Sequence, residues 1–360
     1  MTNFQTTSGM SQSLVKTHTF GKQQLDANSV MLVENPDNIK KRCYIVGEAA
    51  IQRGEASREF GTRFSNQNWV RTIAARLVLS LGAGSHTINL ALVVNSDTVE
   101  DMTGNYYSNT PTETTIATIK SCFSDLYFVT GDTANDAIKH CHVEFNKIAI
   151  VSEIDAATKS IPQDVRKAIL IQCGYGDTQL TTVVNGDNGG RSFRKGGLHN
   201  AINNVASALE NGGYSKSAVL NGWIDNVAIG SDIAQSPYNF TEVKELAIKD
   251  HFEAVLPELT QPYGDDFALF NGVVVSGGAA NDPIVVSVLQ NYFGNLNKKL
   301  FTIDELCGEN GFPSPENKDL TNSTAAVYGA FNFINETEVT QVSIDAGNGW
   351  SKSAVRQYNK

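Results

Sequence analysis

The 360-residue chain is short of charge, and shorter of positive than of negative charge. Charged residues make up 18% of it, and 28 Lys and Arg stand against 38 Asp and Glu, a net charge of −10. That deficit argues against broad direct contact with nucleic acid, where binding rests on lysine and arginine neutralising phosphate. Any link to DNA is therefore expected to pass through a basic adaptor protein. No apolar run reaches the ~20 residues of a membrane-spanning helix; Leu90-Ala91-Leu92-Val93-Val94 has the size of a strand, and no membrane association is expected. Residues 1–13 (MTNFQTTSGMSQS) contain no apolar core, so no secretory signal is predicted and a cytoplasmic location is expected. The five cysteines are scattered, odd in number and without a CxxC pair, which excludes a disulfide framework and predicts reduced thiols. The sequons at Asn239, Asn322 and Asn335 are then chance matches.

What is present is an ordinary globular composition, 41% hydrophobic, in a chain long enough that two domains are expected. Residues 41–50 read as a strand leading into a short helix. The stretch from Leu77 to Val94, broken by Gly82-Ala83-Gly84, reads as a hairpin ending in a buried strand, and Phe123–Val129 and His140–Val151 as further strands. Ile169-Leu170-Ile171 and Val273-Val274-Val275 are short continuous apolar runs of the kind found in central strands. Leu198, Ile202, Val205 and Leu209 form a helical stripe after Gly196-Gly197. Asp282-Pro283 has the form of a helix cap and first turn, and Ser323–Phe331 reads as a helix.

Three glycine loops follow buried strands. Val342-Ser343-Ile344 runs into Asp345-Ala346-Gly347-Asn348-Gly349-Trp350-Ser351-Lys352. Glycine lets backbone amides line a concavity that holds phosphate, lysine adds a point charge, and aspartate can hold a metal ion through water. The second loop is Gln172-Cys173-Gly174-Tyr175-Gly176-Asp177-Thr178, again between two strands, and the third is Ser276-Gly277-Gly278-Ala279 on a strand-to-helix junction. The likeness of the first two loops predicts two duplicated α/β halves. Each loop by itself is more simply a turn; three together, each behind a buried strand, point to a nucleotide.

The segments DAGNGWSK, QCGYGDT and VSGGA resemble the phosphate-1, phosphate-2 and adenosine motifs of the actin/Hsp70/sugar-kinase ATPase superfamily. The resemblance is strongest to bacterial and archaeal actins of the plasmid-segregation (ParM-like) type. YIVGEAA at 44–50, LALVVNSD at 90–97, IAIVSEIDAA at 148–157 and FRKGGLHNAI at 193–202 are also similar to stretches of those proteins. The family runs phosphate 1, phosphate 2, adenosine, whereas this chain runs phosphate 2, adenosine, phosphate 1. The order implies a circular permutation, with the usual first hairpin moved behind the usual last helix through the joint Asn335–Glu338.

The resemblance implies an α/β, two-domain actin/Hsp70-like ATPase fold with duplicated mixed-sheet domains and flanking helices. Domain I would comprise 1–155 plus 320–360, and domain II 156–319. It implies ATP (or GTP) and Mg²⁺ as cofactors, with Asp345 holding the ion through waters and Lys352 touching the β- and γ-phosphates. Gly347, Asn348, Gly349 and Trp350 would form one phosphate hairpin, and Gly174, Tyr175, Gly176, Asp177 and Thr178 the other. Gly277, Gly278 and Ala279 would lie against the adenine and ribose, and Glu153 would orient the attacking water. Gln172 stands where the family usually has an acid, which implies slow hydrolysis. The function implied is a filament-forming ATPase, associating head to tail with itself and serving plasmid or phage DNA segregation. A sugar or metabolite kinase of the same superfamily, or a nucleotide-gated scaffold with little hydrolysis, are the alternatives.

Other residues have plainer readings. His140 and His142 fall on one face of a strand and can bind a metal, but no third ligand is close in the sequence, so an ordinary strand pair is expected. Cys173 is expected to be a small filler rather than a redox sensor, and Trp350 to plug its hairpin rather than stack on a base.

Overall fold

Strands whose side chains alternate between two faces need cover on both faces when no side is wetted. The computed structural model of the chain supplies that cover from helices. It describes every residue except 1, 12–23, 35, 38–41, 48–62, 134–135, 163–164, 211–218, 220–221, 224–240, 308–320, 337, 348–350 and 359–360. The described residues form two compact units: unit 1 from within Met1–Ser160 and Thr324–Lys360, and unit 2 from within Ile161–Gly311 and Asn317–Ser323.

Unit 1 is built on an eight-stranded sheet ordered β1-β13-β12-β4-β6-β5-β2-β3. Its strands are β1 (Thr2–Ser11), β2 (Val30–Glu34), β3 (Arg42–Val46), β4 (Gly84–Val94), β5 (Asp125–Val129), β6 (Lys139–Ser152), β12 (Thr340–Ala346) and β13 (Ser351–Tyr358). Strand β12 lies antiparallel to β13 and parallel to β4, which is in turn parallel to β6. Strand β1 lies antiparallel to β13, with Thr2 opposite Tyr358. Alternation sorts the side chains. Leu90, Leu92, Val342 and Ile344 face helix α1 (Gln67–Leu81) through Trp69, Ile73 and Leu77. Ala91, Val93, Ala149 and Val151 face Ala326, Val327 and Phe331 on the other side.

Two expectations are corrected here. Leu77–Leu81 is the last turn of α1, not the arm of a hairpin. The helix begins at Asn66, whose side chain accepts from the amides of Asn68 and Trp69, and its apolar stripe starts before Leu77. Phe123 ends a helix (Glu113–Phe123) and is fully buried there; the strand starts at Asp125. The short helix expected after β3 lies outside the described residues.

Unit 2 carries a five-stranded sheet ordered β11-β10-β7-β8-β9. These are β7 (Lys167–Cys173), β8 (Asp177–Val184), β9 (Asp187–Gly196), β10 (Gly272–Ser276) and β11 (Lys299–Thr302). Helices His199–Glu210, Thr241–Thr260 and Pro283–Asn295 cover it through Ile202, Phe252, Leu256, Leu289 and Phe293. Counted outward from β12 and from β7, the two sheets coincide. The series β1-β13-β12-β4-β6 has the same strand directions at every step as β9-β8-β7-β10-β11.

Candidate functional site: two glycine hairpins

At the carboxyl end of β12, Asp345 pairs across the hairpin with Lys352, and Ala346 with Ser351. Lys352 donates from Nζ to Asp345 Oδ2 at 3.0 Å. The other carboxylate oxygen, Oδ1, is buried and accepts no hydrogen bond from the described residues. The reason lies one strand away. Asp345 sits opposite Val93 of β4, whose side chain has nothing to donate. A buried carboxylate oxygen without a donor is costly, and it is where a hard cation or its bound water is favoured. Gly347 is partly exposed at the start of the turn; Asn348, Gly349 and Trp350 lie outside the described residues.

Beneath this hairpin Arg76 of α1 is buried and donates from Nε to Ser351 Oγ at 2.9 Å. Burial lowers its pKa to about 10, so it still carries its charge at neutral pH. The sequence reading missed it; the signal was an arginine three residues after Ile73, inside the apolar stripe of α1.

The hairpin of unit 2 has the same register. Gln172 opposes Gln179 and Cys173 opposes Thr178, and the Gly174 amide closes the turn on the Asp177 carbonyl at 2.8 Å. Here the neighbouring strand does offer a donor. Gln172 opposes Ser276 of β10, and its side-chain oxygen accepts from Ser276 Oγ. Gln179 donates from Nε2 to Asp177 Oδ2 at 3.2 Å, and Thr178 Oγ1 is buried without a partner among the described residues. Cys173 is fully buried, and burial together with the nearby Asp177 charge pushes its thiol pKa far up, which makes it inert. Tyr175 and Gly176 are partly exposed at the tip. Gly197 presses so closely on this loop that a β-carbon there would meet the Asp177 amide at 2.5 Å.

Gly277 has φ +94°, and a β-carbon on it would collide with the Cys173 carbonyl, so the third loop is packed directly against the second. Gly278 is exposed and Ala279 buried beside it. Asp282 caps the following helix by accepting from Ile284 N at 3.0 Å, and its other oxygen is held by the buried Lys244 at 2.8 Å. This brace was also missed, because Lys244 lies on another helix. Glu153 is the first residue of helix Glu153–Lys159, behind its cap Ser152, and partly exposed. It leaves the end of β6, where Val151 pairs with Val93 and Val93 with Asp345, so Glu153 and Asp345 share the carboxyl edge of one sheet.

Solved structures that superpose on the chain decide the fold. The pCBH ParM non-polymerisable quadruple mutant superposes with a TM-score of 0.63 at 13% identity, covering 90% of this chain and 91% of that one. The archaeal actin homolog Ta0583 gives 0.61 at 11% identity, covering 91% and 98%, and is matched also as its ADP complex. The chain has an actin-like fold. A 15-stranded ParM filament from Clostridium botulinum matches this actin-like chain at a TM-score of 0.60 and 12% identity, over 89% and 92% of the two chains. No protein-family model matches the sequence, and no curated protein does. No helix among the described residues is long and apolar enough to cross a membrane.

Proposed function

We propose that this actin-like protein binds Mg-ATP (or GTP), assembles head to tail with itself and hydrolyses the nucleotide slowly, in the service of plasmid or phage DNA segregation through an adaptor. The observation that carries the nucleotide part is Asp345 Oδ1, buried and unpartnered beside Lys352 at the mouth of a glycine hairpin. Oxygen donors of this kind suit Mg²⁺. When bound, the ion supplies positive charge that offsets the phosphate oxygens. Asp345 holds the ion's water shell. Lys352, already ordered by Asp345, presents its ammonium group to phosphate. Within unit 2, the loop Gly174–Thr178 is read as a phosphate loop, its Thr178 hydroxyl without a partner among the described residues, and Gly277–Ala279 as the nucleoside loop. Glu153 orients the attacking water. Gln172, whose oxygen is engaged by Ser276, is the neutral residue to which slow hydrolysis is assigned. Among relatives of the same fold, one was solved with ADP and one as a filament, which supports the nucleotide and the self-association.

Calorimetry with Mg-ATP and light scattering test this directly. Lys352→Ala should weaken ATP more than adenosine, and Glu153→Ala should leave binding and assembly intact while slowing phosphate release about 100-fold. Parent-like ATP affinity in Lys352→Ala would remove the site assignment, and a parent that scatters no more light with ATP would remove the filament.

The chain is also proposed to be a circular permutant of the usual order. The matching strand series and the pairing of Thr2 with Tyr358 support this, since β13 and β1 are then consecutive strands of one meander, as β8 and β9 are. A chain rejoined from Lys360 to Met1 and opened within 335–338 should bind Mg-ATP like the parent; a chain so rearranged that aggregates instead would count against it.

A further inference from the structure

Strand β6 places His140 and His142 on one face, and β5 brings Asp125 against them. Asp125 lies directly opposite His142 in the antiparallel register, and Tyr127 opposite His140. Asp125 Oδ1 stands 2.9 Å from His140 Nε2 and 2.9 Å from His142 Nδ1. One candidate ligand atom from each of the three residues lies within 4.8 Å of the other two. The Tyr127 ring stacks on His140 with centroids 4.7 Å apart and planes 12° from parallel, which holds that imidazole edge-on to the carboxylate.

The geometry points to a site for a late first-row divalent ion of the zinc, cobalt or nickel class, bound by Asp125, His140 and His142 with water completing the shell. Tetrahedral zinc with bonds of about 2.0–2.1 Å sets its ligand atoms roughly 3.3 Å apart. The two 2.9 Å contacts must therefore open by about 0.4 Å, a shift that exposed side chains make by small rotations. Both nitrogens now facing Asp125 would turn their lone pairs to the ion, leaving His140 Nδ1 and His142 Nε2 protonated. Two imidazoles and one carboxylate select against Mg²⁺ and Ca²⁺, which prefer all-oxygen shells. Three protein ligands on an exposed face leave at least one position for water, the arrangement of an open rather than a closed site. The ion would tie β5 to β6 near the start of β6. Glu153 follows the other end of that strand, eleven residues beyond His142 and so about 36 Å away at ~3.3 Å per residue. The site is thus independent of the nucleotide reading.

The test is titration of the full chain with Zn²⁺ alone, in millimolar Mg²⁺ and without nucleotide, followed by calorimetry. The parent should take up one Zn²⁺ with a dissociation constant in the micromolar range. His140→Ala, His142→Ala and Asp125→Asn should each lower that affinity about 100-fold or more, at or beyond the upper end of what removing an outer-shell partner costs. Asp125 and His140 are exposed and His142 is partly exposed, so the variants should unfold close to the parent's temperature when no zinc is present. Co²⁺ bound by the parent should show visible bands without sulfur charge transfer. No zinc uptake by the parent, unchanged uptake by the His140→Ala/His142→Ala double variant, or a sulfur charge-transfer band would each overturn the assignment.

Discussion

The two hairpins share a backbone and differ in charge. Asp345 and Lys352 in unit 1 occupy the positions of Gln172 and Gln179 in unit 2, and Val93 that of Ser276. In unit 2 the neutral amide meets a serine and its oxygen is satisfied inside the sheet. In unit 1 the carboxylate meets a valine and one oxygen is left over. The same fold element has its mouth residue satisfied in one unit and, among the described residues, only half satisfied in the other. A second pair sharpens the contrast: Lys244–Asp282 in unit 2 is fully engaged, with Lys244 also donating to the Trp223 carbonyl at 3.1 Å, whereas Lys352–Asp345 is not. One ion pair is fully hydrogen-bonded, and the other leaves Asp345 Oδ1 without a donor among the described residues.

The largest effect should come from breaking the closed pair. Lys244→Met leaves the partly buried Asp282 without its cation and should cost about 3 kcal/mol, the lower end for breaking a buried ion pair, read as a lower denaturant midpoint. If it unfolds like the parent, the two pairs are not different in kind. Asp345→Ala should do the reverse: Mg-dependent ATP binding falls about 100-fold or more, while the denaturation midpoint holds or rises, because an unsatisfied buried oxygen costs about 1–3 kcal/mol. Loss of stability together with binding would make Asp345 a structural residue like Asp282.

Installing the unit 1 acid in unit 2 is the gentler change. Gln172→Asp keeps an oxygen for Ser276 and adds charge, so Mg²⁺ affinity or turnover should rise about 10-fold; equal titrations would end the explanation of slow hydrolysis. The smallest effect concerns acid. Burial, and secondarily the charge of His199, lowers the pKa of His251 in unit 2. The neutral form is favoured in the fold, so its contribution is full above about pH 6.5, the ordinary histidine value, and is lost as pH falls below it while the unfolded chain takes up the proton. His251→Phe should flatten that part of the stability profile, measured as thermal midpoint against pH.

The glycine loops and their strands were legible because both signals are local. Ile169–Ile171 and Val273–Val275 are apolar on both faces, and glycine follows directly. The misread helix shows the limit of such signals: Gly82-Ala83-Gly84 separates two apolar runs like a hairpin turn, and only the stripe through Trp69 and Ile73 reveals a helix. Asp125 stayed invisible to the reading of His140 and His142 because an antiparallel pairing brings it from 15 residues away. Ser276 reaches Gln172 across 104 residues, and Lys244 reaches Asp282 from a separate helix.

By itself the sequence determined the periodicity, the chain-turning glycines and the residue types at each hairpin mouth, since these depend on backbone conformation and alternation over a few neighbours. Only the tertiary structure decided which of those polar groups is satisfied. Asp345 is open and Gln172 closed because of what the adjacent parallel strand carries, Val93 or Ser276, and a parallel neighbour is always separated by a long crossover. Desolvation and hydrogen bonding are set by such neighbours in space, so whether the polar group at a hairpin mouth is satisfied is written in the pairing of strands rather than in either loop.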